Sequence, residues 1–269
     1  MAISKLAVIA PDAELADDVD VGPFCYIGPG VVIDAGTVLH PHVTVVGRTR
    51  VGRNNIIHPH ACVGTPPQDK TYADEPTGVE VGDDNVIREC VTIHRGSTKE
   101  EGVTRVGSGC YLMACSHVAH DCVVGDEVIF GNNVLVGGHV HVEDGANVNG
   151  GAAVHPFATI GRLAYVGGLT RIVQDVPPFM IVEGHPSRVR GINSVGLRRA
   201  GVSPDVIGFI AKAYRRIYRR GRPRAEVLEE MENENGWPDE VRHLCAALRH
   251  SAAGRSGRYR ETLRRRPSA

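Results

Sequence analysis

The stretch VGDEVIFGNNVLVGGHVHVEDGANV, residues 124–148, places a large apolar side chain at every sixth position: Val124, Phe130, Val136, Val142 and Val148. Four residues after such a position stands a small or β-branched side chain, as at Val128, Val134 and Ala146. The residue just behind the apolar one is often glycine, as in Val124-Gly125. Neither the 3.6-residue beat of an amphipathic helix nor the two-residue alternation of an ordinary strand yields a period of six. A unit of one short strand and one turn does. Three such units close a triangular coil of eighteen residues, and coils stack at strand spacing, about 4.8 Å. Large aliphatics then fill the prism, and glycine at the turns permits backbone angles that other residues avoid.

The beat extends outward in both directions. It begins at Ile9 and runs through Leu15, Val21, Ile27, Ile33, Leu39, Val45, Val51 and Ile57 to Val63. It resumes in phase at Val81, Ile87 and Ile93, slips by one residue across 94–105, and continues from Val106 to Ile172. The breaks, roughly 65–80 and 94–105, are rich in Pro, Gly, Thr and charge and read as loops thrown out of the prism, which leans functional in a compact fold. Beyond Val176-Pro177-Pro178 the pattern changes. Ser203 is an N-cap candidate with Pro204 at the first helical position, and Ile207, Ile210, Ala211, Tyr214 and Ile217 form one apolar helical face. Gly221-Arg222-Pro223 ends that helix, and Glu226–Met231 and Glu240–Leu248 suggest two more. The last residues, with Gly254, Gly257 and Arg264-Arg265-Arg266, read as frayed. The expected architecture is an all-β parallel β-helix over residues 1–190, with a C-terminal α-helical domain and basic tail over 191–269.

Composition narrows the function classes. The 269 residues carry a net charge of -1, which gives no global reason to bind nucleic acid or a membrane surface. No apolar run approaches the roughly 20 residues of a membrane span. No secretory leader is visible in Met1–Leu15, and seven cysteines without framework spacing suit a reducing cytoplasm. Cys25, Cys110 and Cys122 occupy small-residue positions of the repeat and read as buried packing residues.

Stacking at eighteen residues converts the sequence into positions. His120 lies under Gly138 and Pro156, and Asp121 under His139. His155 follows on the same corner, and His117 lies just before it. A neutral imidazole can take a hydroxyl proton, and a neighbouring carboxylate fixes its tautomer. A glycine lets a backbone N–H approach a developing oxyanion. Taken singly, each of these histidines reads as an ordinary residue on a solvated face, whereas the whole set beside a stacked glycine reads as a site. His40, His42, His58 and His60 share another corner, readable as stacked turn residues or as a divalent-metal site.

Several motifs carry a closer resemblance: Pro66-Pro67-Gln68-Asp69, Thr92-Ile93-His94-Arg95-Gly96, His117-Val118-Ala119-His120-Asp121-Cys122, Gly138-His139, Ala153-Val154-His155, Gln174-Asp175-Val176-Pro177-Pro178 and Gly191-Ile192-Asn193. From about residue 8 to 220 the chain resembles the UDP-N-acetylglucosamine acyltransferases, hexapeptide-repeat enzymes that open lipid A biosynthesis. The resemblance implies a left-handed coil and transfer of a 3-hydroxyacyl group from acyl carrier protein to the sugar nucleotide, without a cofactor or metal. It implies His120 as general base, Asp121 as its partner and the Gly138 backbone as oxyanion hole. Gln68, Asp69, His117, His139 and His155 would position sugar and acyl donor. Asn193 and Arg199 match nucleotide-contacting positions, although Asn193 is also readable as a turn cap and Arg199 as a solvated helix residue. Gly168 matches a position that limits acyl length, with Tyr165 as the second candidate for the stop. A homotrimer with sites between subunits is implied. Arg215, Arg216, Arg219, Arg220, Arg222 and Arg224 form a basic cluster for the acidic carrier or, equally, a solvated helix face.

The chain departs from the family pattern at Thr71, Pro156, Val195 and Ala200, all around the acceptor. A 3-amino sugar acceptor, giving an amide, therefore competes with the hydroxyl acceptor. Two further functions are compatible with a β-helix: a γ-carbonic-anhydrase-like metal enzyme using His117, His120, His139 or His141, and a non-catalytic scaffold.

Overall fold

In the computed structural model, which describes residues 3–219 and 221–263, the six-residue beat becomes strands of mostly two residues separated by turns. Three parallel sheets result. The first face runs from Val8–Ile9 to Arg171–Ile172, the second from Glu14–Leu15 to Thr159–Ile160, and the third from Asp20–Val21 to Met180–Glu183. Val8 pairs with Tyr26, Leu135 with Ala153 and His141 with Thr159, each one coil of eighteen residues apart. Inside, Ile27, Ile57, Ile93, Leu112, Phe130 and Ile160 are fully buried, and the expected packing cysteines Cys25, Cys110 and Cys122 lie among them. Their thiols donate to the carbonyls of His40, Gly125 and Gly137.

A polar ladder runs up one inner edge. The Thr37 hydroxyl accepts from the Asn55 N–H, the Asn55 side-chain oxygen from the Asn85 N–H, and the Asn85 side-chain oxygen from the Cys110 N–H. Each side chain thus satisfies a buried backbone donor of the following coil.

Both interruptions leave the prism at one corner, between the first and second faces. Cys62 pairs with Thr92 and Thr92 with His117, so the two excursions lengthen their coils by twelve and seven residues. At the first exit the register shifts between Val63 and Thr65, and Gly64 takes φ +84°. A Cβ there would overlap the Val46 carbonyl, so only glycine fits.

The prism closes with Arg188–Ile192, antiparallel to Met180–Glu183, so the expected boundary at residue 190 falls within a strand. The helices are α1 (Ser194–Arg199), α2 (Pro204–Tyr218), α3 (Arg224–Asn233), α4 (Asp239–Ala253) and α5 (Tyr259–Leu263). Ser203 caps α2 by accepting from the Val206 N–H. The reading of residues 254–263 as frayed is wrong. They turn at Gly254–Gly257, form α5 and lie back on the β-helix, because Asp175 accepts from Tyr259 N–H and Arg258 donates to the Val173 carbonyl. The Arg264-Arg265-Arg266 run and Arg220 lie outside the described residues. No described helix is long and apolar enough to cross a membrane.

The ladder makes a prediction. Asn85→Ala removes the acceptor of a buried N–H and should cost about 1–3 kcal/mol, read as a lowered denaturation midpoint. A midpoint equal to wild type would show that the Cys110 N–H finds another partner.

Candidate active site

The corner from which both loops leave continues upward as three turns: 119–122, 137–140 and 155–158. Asp121, His139 and Phe157 take φ of +59°, +63° and +66° at equivalent positions of these turns, each directly above the last. The His139 N–H donates to the His120 carbonyl, and the Phe157 N–H to that of Gly138. His120, Asp121, Gly138 and His139 therefore meet at one corner, with His155 on the coil above.

His120 Nδ1 lies 2.7 Å from Asp121 Oδ2. The Asp121 carboxylate is 1% exposed, and its two oxygens also accept from the Ser97 N–H at 2.7 Å and the Ser97 hydroxyl at 2.6 Å. Burial alone would raise its pKa, but the bonds from His120 and Ser97 outweigh it and hold the carboxyl below its ordinary value. The ionised carboxylate can only accept, so Nδ1 donates, and in the neutral ring the lone pair lies on Nε2. The His120 side chain is 15% exposed.

Gly138 is part of the same unit. A Cβ on it would stand 2.8 Å from His120 Cε1 and Nε2, so any side chain would displace the imidazole. The N–H groups beside it donate to Val154 and His120, whereas that of Gly138 makes no bond among the described residues.

Around this pair the imidazoles are packed. His139 stands edge-on to His120 at 5.0 Å and stacks on Phe157 at 4.3 Å. His117 shares a 2.7 Å hydrogen bond with Thr92 and meets the ring of His94 edge-on. Burial lowers the His117 pKa and pushes that of His94 down to about 4. His155 Nδ1 donates to the Pro156 carbonyl at 2.9 Å, so in the neutral ring Nε2 is the acceptor.

The loops close in from below. Lys99 on the second loop pairs with Asp69 on the first, and Thr71 adds its N–H and hydroxyl. These hold the Asp69 carboxyl well below the usual carboxylate range. Gln68 beside it is exposed. Arg95 ties the loops together again through Tyr72 and Asp74.

Other expected residues lie apart from this corner. Asn193 is buried and caps α1, accepting from the Gly196 N–H and donating to the Leu163 carbonyl. Arg199, Val195 and Ala200 are exposed around α1. Gly168 sits at the corner between the third and first faces, and Tyr165 on the third face. A Cβ at Gly168 would meet only the Gly150 carbonyl, at 3.2 Å. In the basic cluster, Arg216 binds Glu234 and Glu230, and Arg222 binds Glu230, so those two are neutralised within the fold. His40 stacks on His58 and His42 on His60, each at 4.8 Å. Among the described residues, the one group of three potential ligands within 4.8 Å is His120, Asp121 and His139. It holds two histidines, and neither His117 nor His141 adds the third that a three-histidine metal site would need.

The residues that sequence reasoning missed are Ser97, Glu100 and Arg260. The first two sit on an excursion where the eighteen-residue count fails, and the third in a segment without periodicity.

Comparison with known proteins shows the family and the fold. Residues 104–138 match the bacterial transferase hexapeptide, and residues 175–256 match domain 2 of UDP N-acetylglucosamine O-acyltransferase. The acyl-[acyl-carrier-protein]–UDP-N-acetylglucosamine O-acyltransferase of Saccharophagus degradans is 49% identical over 94% of this chain and 98% of its own. That of Thermodesulfovibrio yellowstonii is 42% identical over the same shares. This chain belongs to that family. The solved UDP-N-acetylglucosamine acyltransferase of Bacteroides fragilis superposes with a TM-score of 0.88 at 36% identity, over 91% of this chain and 96% of that one. The Acinetobacter baumannii member gives 0.87 at 41%, over 91% and 95%. The fold is the expected left-handed parallel β-helix with a C-terminal helical region.

The depressed pKa of His94 carries a pH signature. Below about pH 6.5 the unfolded chain protonates this imidazole while the folded chain does not until about pH 4, so stability falls as pH drops through that window. The urea midpoint should decrease from pH 7 to pH 5, and decrease less in His94→Gln, while His58, His117 and His141, whose pKa values burial also lowers, keep part of the decrease. An identical pH dependence in the variant would refute the assignment.

Proposed function

We propose that this chain transfers a 3-hydroxyacyl group from acyl carrier protein to the 3-hydroxyl of UDP-N-acetylglucosamine, the first step of lipid A biosynthesis, with His120 as general base. The observation that carries the reading is His120 held by Asp121 in the Nδ1–H tautomer directly under Gly138, in a chain of this family. The sugar hydroxyl gives its proton to Nε2 as its oxygen attacks the thioester carbonyl. The oxyanion forms against the Gly138 N–H, whose buried position favours charge stabilisation. Collapse expels the carrier's thiolate, which takes the proton back from the imidazolium. Asp121 offsets the transient positive charge. No metal or cofactor enters the scheme.

Other elements have finer proposed roles. Asp69, Gln68, His117, His139 and His155 would hold sugar and acyl donor, a role supported for His139 by its ring contact with the base, and Arg199 and Asn193 would face the nucleotide. Because the Asn193 side chain already caps α1, its second amide hydrogen is the group offered to a ligand. The acyl chain would cross the first face toward Gly168. Leu135, 53% exposed, and Leu169, 84% exposed, are unpaired apolar groups on that route. Such exposure also supports a homotrimer whose neighbouring subunit covers the face. Arg215, Arg219 and Arg224 remain for the acidic carrier. The seven free cysteines suit a cytoplasmic location.

Purified protein given 3-hydroxyacyl carrier protein and UDP-N-acetylglucosamine should release an ester labile to hydroxylamine. Product formed only from a 3-amino sugar would replace the hydroxyl acceptor with the amine. His120→Ala should lose about 10²–10⁴-fold in turnover with unchanged circular dichroism, and near-normal turnover would remove His120 as base. For chain length, each methylene buried is worth about 0.8 kcal/mol. The wild type should therefore prefer donors longer than ten carbons, and Gly168→Met should reverse that order in direct competition. A wild type that already prefers the short donor would shift the stop to Tyr165.

A further inference from the structure

The segment after α4 returns to the β-helix and brings Arg260 beside the catalytic corner, although the family match over the helical region stops at residue 256. None of the residues of α5 is buried, so apolar packing contributes little to its docking. Polar contacts hold it instead. The Asp175 N–H donates to the Gly257 carbonyl, the Asp175 carboxylate accepts from Tyr259 N–H, and the Tyr259 ring stacks on His250 at 4.4 Å.

Arg260 is the tip of this strap. Its Nε donates to the His139 carbonyl at 3.3 Å, and its terminal nitrogen lies 3.4 Å from Glu100 Oε2. The other Glu100 oxygen faces His139 Nδ1 at 3.1 Å, without hydrogen-bond alignment. Arg260, Glu100 and His139 thus close a ring between three segments distant in sequence. Glu100 belongs to the second loop, and that loop does two further things. Ser97 delivers both the N–H and the hydroxyl that fix Asp121, and Lys99 pairs with Asp69. Whatever holds Glu100 therefore holds the groups that orient the base and the first loop.

We infer that Arg260 is a positioning residue: through Glu100 the C-terminal strap clamps the 95–102 loop so that Ser97 keeps Asp121 aligned with His120. The kinetic part rests on the acyl-transfer reading, while the structural part does not. The side-chain contacts of Arg260 are with the His139 carbonyl and Glu100, not with His120, Asp121 or Gly138.

The test compares full-length wild type with Arg260→Ala, Arg260→Lys, Glu100→Gln and the double variant Arg260→Ala/Glu100→Gln. Hydrogen–deuterium exchange of the 95–102 amides should accelerate about tenfold or more in Arg260→Ala, while the core strands stay protected. In acyl transfer, kcat should fall about tenfold and KM for the acyl donor should rise by less than that, since Ser97 acts on the base directly whereas Lys99 reaches the binding side only through Asp69. Arg260→Lys, which keeps a cation for Glu100, should recover kcat to within about threefold of wild type. Glu100→Gln should reproduce the exchange effect from the loop side, and the double variant should lose little beyond either single one, as expected of one shared contact. Unchanged loop exchange in Arg260→Ala, or fully additive losses in the double variant, overturns the inference. A wild type inactive in acyl transfer would remove the proposed function and leave the exchange arm to decide the clamp.

Discussion

Each coil is held to the next by parallel backbone hydrogen bonds that pair a residue with its counterpart one turn of the prism later. Because side chains alternate between core and solvent along a strand, a slip of one residue would turn Val118, Val136 and Val154 outward and His117, Leu135 and Ala153 inward. Burying a histidine and exposing three valines is unfavourable on both counts. The fully buried valines therefore fix the register, and the register fixes the site. His120 stands under Gly138 because the core allows no other alignment, and no contact between those two residues has to enforce it.

Insertions survive this constraint only at corners, where the chain leaves and re-enters without breaking a core position. Here both enter at the same corner, one coil after the other, and link to each other through Lys99–Asp69 and Arg95–Asp74. The corner that the loops cover is the one that holds a buried carboxylate. An isolated ionised Asp121 at 1% exposure would be costly. Three hydrogen bonds, two of them from Ser97, make it tolerable. The loop that shields the carboxylate from water thus also supplies the donors that compensate for the shielding, and charge and cover are a single structural feature.

This division explains which parts of the molecule were legible in the sequence. The prism, its phase and the pairing of His120 with Gly138 and Asp121 with His139 follow from counting by eighteen, because stacking makes sequence distance a spatial coordinate. The α2 start at Ser203-Pro204 followed from local capping chemistry. Counting fails inside the loops, whose residues have no partner one coil away, so Ser97 and Glu100 stayed invisible beside plainly readable histidines. It fails again for Arg260, brought to His139 by a helical domain that doubles back; Gly254 and Gly257 read as signs of fraying, whereas they turn the chain toward its docking site. Asn193 shows a third limit. Its motif resemblance pointed to a nucleotide, and its local position pointed to a cap. The cap is present in the fold, and a ligand contact would use what the cap leaves free.

Under the proposed function, the same geometry separates chemistry from selectivity. The base, its carboxylate and the Gly138 N–H occupy the corner between the first and second faces, while Gly168 lies at the opposite edge of the first face. A substitution at Gly168 would meet the Gly150 carbonyl and nothing of the catalytic group. Acyl length can then change by altering one turn residue, because the rigid prism between the two corners transmits no displacement to His120. By the same reasoning, the residues near Asp69 and those flanking α1 can alter the acceptor side without disturbing the base, provided the second loop stays in place. That loop is the shared element. It touches the carboxylate of the base, the first loop and the C-terminal strap, so variation is restricted there by packing and chemistry together.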